Sequence, residues 1–276
     1  MNAPTALPKP TQVSIITVGM NHLLHLKVYF HSIFVTAKPT IDFEIIYVDN
    51  CSIDGSVEFV RKHYPLVKIL ENKIIKGFAA NNNYGVSNSK GKYILILNPD
   101  VVVLPNAIDC LYNYLILNDS VGIVVPKLLN EDLSVQLSVR KFLNLKILFH
   151  RLINMGKDVV DSKILQKYLL TNVDKDKTQP VDWALGAAMF LNRSWFDRLK
   201  GFDERYFLYV EDVDLCLRNW KLGKEVIYLP ESKFIHTHQR KSNNGWNKTK
   251  VYHLMSICRF LLKHNIIFRA YKFVKS

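Results

Sequence analysis

Short apolar runs alternate with helix-like segments over the first hundred residues of the chain. Four of the runs carry few charges, which is typical of parallel strands that are buried on both faces. They cover residues 13–18, 43–48, 67–70 and 93–97. Between them, apolar residues at helical spacing predict helices over 22–37, 56–63 and 78–89. This alternation indicates βαβ units, and therefore an α/β fold with an open, mostly parallel twisted sheet flanked by helices.

After Pro126, the regular alternation of predicted strands and helices ends. Basic and apolar residues mix over 139–170 and predict an amphipathic helix, and shorter helices are predicted over 194–199 and 212–222. A further strand is predicted over 225–229. Because no repeat or low-complexity tract interrupts the chain, we assign residues 13–240 to a single large domain. Residues 1–12 contain three prolines and are predicted to be a flexible arm.

Charge separates the C-terminal segment from the rest. The 276 residues carry a net charge of +13, and residues 240–276 hold nine Lys or Arg and no acid, which leaves +4 for the rest. Apolar residues accompany these basic ones, with Leu254, Ile257, Leu261 and Phe268 among Arg259, Lys263, Arg269 and Lys272. The pattern predicts that residues 241–276 form amphipathic helices on an anionic membrane surface. A terminal helix packed on the core, with a solvated basic face, is the alternative. A nucleic-acid-binding protein is disfavoured because its positive charge would be spread over a binding face.

The compartment follows from what the chain lacks. Its four cysteines lie far apart without a C-x-x-C pair, which disfavours a disulfide framework or a structural zinc site and fits a reducing compartment. The first residues contain no apolar segment of the secretory type. No run reaches the roughly 18 uncharged apolar residues of a spanning helix. The sequence therefore predicts a cytoplasmic protein, soluble or peripheral.

Polar side chains gather where the predicted strands end. The carboxyl ends of three predicted strands carry residues 17–21, Asp49-Asn50 and Asn98-Pro99-Asp100. Open parallel sheets bind their ligands at this edge. Neither a G-x-G pair nor a phosphate-binding G-x-x-x-x-G-K loop is present. A phosphate at this edge would need another counter-charge, and a divalent cation held by carboxylate would supply it. Asp100 is suited to that role or to a simple turn, and Asp49 is suited to binding a base or ribose or to capping a turn.

Two further groups of side chains could carry chemistry. His236-Thr237-His238 resembles half of a metal site, although an isolated H-x-H is more often structural. Glu211, Asp212 and Asp214 form the densest acidic cluster, at the start of a predicted helix and beside an aromatic run. Acids in a first turn stabilise a helix dipole, and Asp214 could pair with Arg218 one turn on. A carboxylate near apolar rings is also a better base, because its charged form is disfavoured. We favour the functional interpretation of this cluster.

An ordered series of segments resembles the inverting family 2 glycosyltransferases of the GT-A fold. It spans about 225 of the 276 residues. Its members are VSIITVGMN (13–21), IIYVDNCSIDGS (45–56), GFAANNNYG (77–85), GKYILILNPD (91–100), VDWALGAAMFLNR (181–193), GFDERYFLYVEDVDLCLR (201–218) and FIHTH (234–238). NPD together with SVRKF (138–142) and YVEDVDLCLR (209–218) is most similar to bacterial rhamnosyltransferases of O-antigen, lipopolysaccharide and cell-wall assembly.

The resemblance implies a role for each matching residue. Asp100 and His236 match metal ligands for Mg²⁺ or Mn²⁺, and Asn98 stands where the first acid of the family's metal motif usually stands. Asp212 matches the catalytic base, with Glu211 positioning it or contacting the acceptor. Residues matching the nucleotide pocket, in a half covering 13–125, are Thr17, Asn21, Asp49, Asn82, Asn83 and Asn98. Residues matching the wall of the acceptor or donor-sugar site, in a half covering 126–240, are Trp183, Gly186 and Ala187.

The implied reaction is a single in-line displacement with inversion at the sugar carbon. Its donor would be dTDP-β-L-rhamnose, and its acceptor a saccharide on a polyprenyl diphosphate at the inner face of the bacterial cytoplasmic membrane. Another nucleotide sugar remains open as donor, whether a UDP-hexose, UDP-galactofuranose or another dTDP-6-deoxysugar. An inactive nucleotide-sugar-binding module is disfavoured because Asp49, Asp100, Asp212 and His236 are all present.

Overall fold

The computed structural model describes residues 11–144, 147–150, 162–237, 248–265 and 273. Most of the predicted arm at 1–12 lies outside these ranges. The strands are β1 Val13–Gly19, β2 Phe43–Asp49, β3 Lys68–Glu71, β4 Tyr93–Leu97, β5 Val101–Val103, β6 Val121–Leu129, β7 Val139–Arg140, β8 Gln179–Pro180, β9 Trp183–Ala184, β10 Ala188–Asn192 and β11 Glu225–His236. The helices are α1 Leu23–His31, α2 Ser56–His63, α3 Phe78–Ser87, α4 Ala107–Ile116, α5 Lys163–Tyr168, α6 Arg193–Arg198, α7 Glu211–Lys221 and α8 Lys248–His264.

Nine of these strands form one mixed sheet in the order β3-β2-β1-β4-β10-β6-β11-β5, with β8 paired to β11. The first four strands of this order are mutually parallel, and β6 is parallel to β11. Strand β10 runs antiparallel to both β4 and β6 and joins the two parallel groups. The carboxyl ends of β1, β2 and β4 consequently meet at one edge, with Gly19 opposite Asp49 in register. The prediction of an α/β, mostly parallel sheet is confirmed.

Helices cover both faces of the sheet, and two apolar clusters fill the space beneath them. Alternate residues of each strand point to opposite faces, so Ile15 packs towards α1, α2 and α4 while Ile16 packs towards α3, α6 and α7. Both side chains are fully buried. Burial on both faces explains why the strands read as nearly continuous apolar runs. It also explains why their predicted bounds agree with the structure to within one residue at β1, β2 and β4. The bounds of β3, a partly exposed strand at the sheet edge, agree to within one residue as well.

The prediction of an amphipathic helix over 139–170 is wrong at its beginning. Val139 and Arg140 form β7, which pairs antiparallel with β9. Within the described part of this region, helix occurs at 147–150 and in α5. The strand forms because Val139 and Arg140 lie opposite Ala184 and Trp183, which are more than forty positions away along the chain. A local pattern of basic and apolar residues cannot indicate pairing with such a distant segment.

Helix α8 lies inside the segment predicted to be a membrane-associating tail. Its inner face packs on the domain, where Phe260 is fully buried and the Ser256 hydroxyl donates to the Leu208 carbonyl at 3.0 Å. Lys263 and His264 reach the Asp214 carboxylate on α7, at 2.6 and 2.7 Å. Residues 241–247 and 266–272, with Phe268, Arg269 and Lys272, are outside the described residues. In the described ranges, no helix has the length and apolar character that crossing a membrane requires.

Candidate active site

The carboxylate of Asp49 closes the end of β2. Its Oδ1 accepts from the Tyr47 hydroxyl at 3.1 Å, and its Oδ2 accepts from the Ser52 backbone N–H at 2.9 Å. The residue is 3% exposed. Asp49 thus joins β2 to the loop that follows it, at the edge of the sheet.

Thr17 and Asn21 support that edge in different ways. Thr17 is fully buried, and its hydroxyl shares a short hydrogen bond with the Tyr29 hydroxyl of α1. Asn21 is exposed, with a φ of 57°. Its Oδ1 accepts from the Ile53 N–H at 2.8 Å, and its own N–H donates to Ser52 Oγ at 2.9 Å. Asn21 thus joins the loop after β1 to the loop after β2.

The asparagines of α3 bind protein groups. Asn82 is buried, and its amide donates to the Phe78 carbonyl at 2.9 Å. The Asn83 amide donates to the Phe202 carbonyl and to Glu204 Oε1, and it accepts from the Phe202 N–H, each at 2.9 Å. These contacts fasten the loop that precedes α7 to α3.

A second set of asparagines forms a network that the sequence analysis did not identify. Asn50 Oδ1 accepts from the Lys76 N–H at 2.9 Å and from the Asn72 amide at 3.1 Å. The Asn72 amide also donates to Asn81 Oδ1 at 2.6 Å. The signal available in the sequence is position alone, because Asn50 follows Asp49 and Asn81 opens the asparagine run of α3. The network fixes the loops that follow β2 and β3.

Asp100 and His236 meet at the junction of β4, β5 and β11. His236 Nε2 lies 3.6 Å from Asp100 Oδ1. The Gln136 amide donates to the His236 carbonyl at 3.4 Å, which turns Gln136 Oε1 towards His236 Nδ1 at 2.7 Å. Nδ1 must then carry the imidazole proton, so the lone pair of Nε2 faces the carboxylate. Burial lowers the pKa of His236 to about 4, which keeps the imidazole neutral at neutral pH.

This pair fits a divalent cation. A neutral imidazole nitrogen and a carboxylate oxygen are both electron-pair donors, and a cation between them would satisfy both. Among the described residues, no third His, Cys, Asp or Glu completes a cluster of ligands. His238 is not among those residues. Mg²⁺ and Mn²⁺ in phosphate-binding sites are commonly held by one or two protein groups together with substrate oxygens and water, which agrees with this donor set.

Asp212 stands at the start of α7, where two backbone groups orient its carboxylate. The Gly186 N–H donates to Oδ2 at 2.9 Å, and the Val213 N–H donates to Oδ1 at 2.8 Å. Burial raises the pKa of Asp212, while these two donors and the positive charge of Arg140 oppose the rise. The residue as a whole is half-buried. A raised pKa and fixed orientation are the properties of a general base.

Glu211 differs from its neighbour. It is buried, and burial together with the charge of Asp212 raises its pKa well above the ordinary value. Its Oε2 has no hydrogen-bond partner among the described residues. Two adjacent carboxyl groups in a dry site do not both ionise readily. The pKa of Glu211 is raised further than that of Asp212, which favours ionisation at Asp212.

Residues 186 and 187 connect the candidate base to the candidate metal ligands. The Gly186 N–H donates to Asp212. The carbonyl of the following residue, Ala187, accepts from the Asn98 N–H at 2.9 Å. A Cβ on Gly186 would lie 3.3 Å from the Cβ of Asp212, so only glycine permits this approach without displacement. The dipeptide thus brings α7 and the Asn98–Asp100 turn to one wall. The structure brings together these two parts of the implied site.

Trp183 and Arg140 form the adjoining surface. Trp183 is buried, and its indole N–H donates to the Lys141 carbonyl at 2.8 Å. The Arg140 guanidinium carbon lies 5.5 Å from the centre of the Trp183 ring and 5.6 Å from that of Tyr168. Sequence analysis gave Arg140 no role, although it lies in the SVRKF segment. Its position between two rings, with its charge opposing the rise in the pKa of Asp212, adds Arg140 to the candidate site.

Solved structures identify the class of the fold. A structure of GalNAc-T7 with UDP, GalNAc and Mn²⁺ matches with a TM-score of 0.66 at 16% identity, over 91% of this chain and 48% of that one. The mannosyltransferase PcManGT from Pyrobaculum calidifontis, in complex with GDP-Man and Mn²⁺, matches with a TM-score of 0.63 at 16% identity, over 96% of this chain and 67% of that one. The fold is that of the GT-A glycosyltransferases.

Sequence comparison defines the family within that class. The model of glycosyl transferase family 2 matches residues 14–177. Rhamnosyltransferase WbbL of Escherichia coli K12 is 31% identical over 204 residues, which cover 70% of this chain and 73% of WbbL. The N-acetylglucosaminyl-diphospho-decaprenol L-rhamnosyltransferase of Mycobacterium tuberculosis H37Rv is 27% identical over 228 residues, covering 77% and 71%. The chain belongs to glycosyl transferase family 2 and is a glycosyltransferase.

Proposed function

We propose that the protein transfers L-rhamnose from dTDP-β-L-rhamnose to a saccharide carried on a polyprenyl diphosphate, in the synthesis of an O-antigen or another surface polysaccharide. The observation that carries the proposal is the link through residues 186 and 187, which joins a candidate base to a candidate cation site. The rhamnosyl donor and the lipid-linked acceptor are supported by the names of the relatives in Escherichia coli and Mycobacterium tuberculosis.

In the proposed reaction, Asp212 accepts the proton of the attacking acceptor hydroxyl. The acceptor oxygen forms a bond to the anomeric carbon as the bond from that carbon to the donor diphosphate breaks, through an oxocarbenium-like state. Attack and departure on opposite faces convert the β-linked donor to an α-L-rhamnoside. Asp100 and His236 would hold a divalent cation, Mg²⁺ or Mn²⁺, which would supply positive charge for the leaving diphosphate. The Gly186 and Val213 N–H groups keep the carboxylate of Asp212 aimed at the acceptor.

The base is tested by Asp212→Asn. Loss of a general base reduces kcat by about 10²- to 10⁴-fold, and the variant should still bind the donor. Initial rates and calorimetric titration with donor measure the two effects separately. Asp119→Asn, which alters an exposed acid after α4, is the control and should retain full activity. Near wild-type turnover by the Asp212 variant would show that another group accepts the proton.

The donor and the cation are tested by titrating the protein with dTDP, UDP and GDP in the presence of Mg²⁺ or Mn²⁺. Selective binding of dTDP is expected. A preference for UDP would retain the fold and the mechanism but replace the donor by a UDP-hexose or UDP-galactofuranose. Absence of any nucleotide binding would favour the inactive module. EDTA should abolish turnover and added cation should restore it, whereas full activity in chelator would remove this role from Asp100 and His236.

We further propose that the protein works as a peripheral protein on the anionic inner face of the cytoplasmic membrane. The outer face of α8 supports this, because it carries an exposed apolar stripe at helical spacing. The stripe consists of Val251, Leu254, Met255, Cys258 and Leu262, and its four non-cysteine members are 46%, 52%, 52% and 74% exposed. An amphipathic helix with such a face binds the lipid interface. Arg259 and Lys263 contact the domain instead, so the apolar stripe is the better candidate for lipid contact.

Point variants on this stripe test the membrane proposal without removing α8. Leu254→Ser combined with Leu262→Ser should weaken sedimentation with vesicles of anionic phospholipid and leave turnover of a short soluble acceptor unchanged. Leu66→Ser, at an 87% exposed leucine before β3, is the matched control. Equal vesicle binding by the double variant and the wild type would contradict the assignment.

A further inference from the structure

A cleft of about 520 Å³ lies between α5, β8 and Lys141, which follows β7, and the reaction described above leaves it unused. Its volume is in the range of small-ligand sites. Three ammonium groups and several apolar side chains line it. Those that matter here are Lys141, Lys163, Lys167, Leu170, Val173 and Val181. No aspartate or glutamate is among its lining residues in the described part of the chain. We refer to it as the lysine cleft.

The charges of the lysine cleft are of one sign and converge on a concave surface. Lys163 and Lys167 are exposed and stand one turn apart on α5, a spacing at which like charges repel. Lys141 faces them from the end of β7, with its ammonium 3.9 Å from Asp182 Oδ1. A concave site lined by one sign of charge concentrates the field and attracts a counter-ion. An anion in the cleft would relieve the repulsion within α5.

The cleft adjoins the candidate active site through the chain itself. Lys141 directly follows Arg140, and Tyr168 of α5 contributes one of the two rings that hold the Arg140 guanidinium. Val181 precedes Gly186 by five residues, so the cleft wall lies at most about 17 Å along the chain from the N–H that orients Asp212. That reach corresponds to a short saccharide. The Val181 side of the cleft thus lies within a few sugars of the N–H that orients the proposed base.

The C-terminal segment reaches the same place. The Phe273 ring stacks on Trp220 with centroids 5.5 Å apart, and its centroid is 6.0 Å from that of Phe142, the residue after Lys141. The indole N–H of Trp220 donates to the Val181 and Asp182 carbonyls at 3.2 and 3.1 Å. Phe273, which follows the proposed lipid-binding helix in the chain, therefore packs next to residues that adjoin Lys141 and Val181 of the cleft.

We propose that the lysine cleft binds the diphosphate of a prenyl-linked saccharide acceptor. A diphosphate that bears a hydrocarbon chain presents ionised oxygens to the three ammonium groups and apolar surface to the leucine and valines. This inference rests on the proposed function, since it assigns the site of that acceptor. The donor also contains a diphosphate, and the experiments below separate the two sources.

The first experiment compares Lys163→Gln combined with Lys167→Gln against the wild-type protein. Both side chains are exposed, so the fold should tolerate the change. Because two charge-assisted contacts are removed, KM for a prenyl-diphosphate-linked acceptor should rise about tenfold or more, with kcat and the KM of the donor unchanged. KM for an alkyl glycoside of the same sugar, which lacks the diphosphate, should not change. Lys38→Gln combined with Lys62→Gln, two exposed lysines elsewhere on the surface, controls for net charge.

The second experiment measures binding without turnover. Farnesyl diphosphate is titrated into the protein in the presence of saturating dTDP, which occupies the donor diphosphate site. Saturable binding is expected for the wild type and the control, with about tenfold weaker binding by the Lys163 and Lys167 double variant. Farnesol should bind all three proteins equally. Equal affinity of farnesyl diphosphate for wild type and double variant would overturn the inference.

The outcomes distinguish this inference from the proposed function. A wild-type protein that turns over no lipid-linked acceptor contradicts the proposed function, and the farnesyl diphosphate titration still decides the cleft. If the wild type is active on the lipid-linked acceptor and the double variant has the same acceptor KM, the cleft assignment alone is overturned. A rise in the KM of the donor instead of the acceptor would place the nucleotide diphosphate in the cleft and would also overturn it.

Discussion

Replacing Asp214 by asparagine should destabilise the protein and loosen α8, because this carboxylate joins α8 to the helix that bears Asp212. Asp214 is fully buried. Its Oδ2 accepts from Arg218 Nε at 2.7 Å. Its Oδ1 accepts from Lys263 Nζ at 2.6 Å and from His264 Nε2 at 2.7 Å. An asparagine of the same shape would supply one acceptor oxygen and place an N–H₂ group against positively charged donors.

The expected loss follows from the shift in the pKa of Asp214. Its partners hold that pKa at about 2, below the ordinary 3.8, and at 1.36 kcal/mol per unit the ionised form contributes about 2 kcal/mol to folding. Removing one partner of a buried ion pair costs up to about 5 kcal/mol. Lys263 retains Asp203 at 2.7 Å, which limits the penalty. We expect a loss of about 2 to 5 kcal/mol at pH 7, or about 4 to 10 °C in Tm.

Urea unfolding of wild type, Asp214→Asn and the exposed control Asp119→Asn measures this loss. A carboxyl whose pKa is depressed on folding stabilises the protein above its unfolded pKa, and the contribution is lost as pH falls through the folded value. The contribution of the Asp214 carboxylate to the difference between wild type and Asp214→Asn should therefore shrink between about pH 4 and pH 2. A difference below about 0.5 kcal/mol at pH 7, as expected for the control, would refute the role of the buried carboxylate.

Three further predictions concern the sheet and the base. In Gly122→Ala the new Cβ would overlap Asn219 Oδ1 and lie 2.6 Å from Trp195 Nε1, so unfolding in urea should show a loss of about 3 kcal/mol or more; a stable variant would contradict this packing. Gly186→Ala should lower kcat about tenfold with a small change in Tm, because the new Cβ displaces Asp212. An unchanged kcat would show that Gly186 does not position the proposed base. The raised pKa of Asp212 should place the acidic limb of the kcat profile above pH 4, and a rate that is constant down to pH 4 would argue against it.

The sheet was predictable where the reason for each strand is local. Strands β1, β2 and β4 are largely buried on both faces, so their apolar runs stand out in the sequence. Strand β10 is equally apolar, but its direction depends on pairing with β4 and β6. These two strands flank it in the sheet and lie far before it in the chain. The pair β7 and β9 is two residues long in each strand, too short for any periodicity. Long-range pairing of this kind leaves no local pattern.

The candidate site could be proposed residue by residue only through resemblance. The acidic cluster alone indicated a base but could not separate Glu211 from Asp212. Separation requires the Gly186 N–H, which is 26 residues away and donates to Asp212. Arg140 was missed for a similar reason, since its place near the base depends on the rings of Tyr168 and Trp183. Roles that arise from tertiary contacts of this kind become visible when the chain is folded.

The packing of α8 changes how the C-terminal segment must act. A tail that only tethers the protein could be removed without touching the domain, yet α8 contributes the fully buried Phe260 and two of the groups that bind Asp214. Asp214 lies two residues from Asp212 in the first turn of α7. The helix that would lie on lipid thus braces the helix that carries the proposed base. Deletion of residues 251–276 should therefore diminish activity on a soluble acceptor as well as lipid binding, whereas variants of the exposed stripe should diminish lipid binding alone.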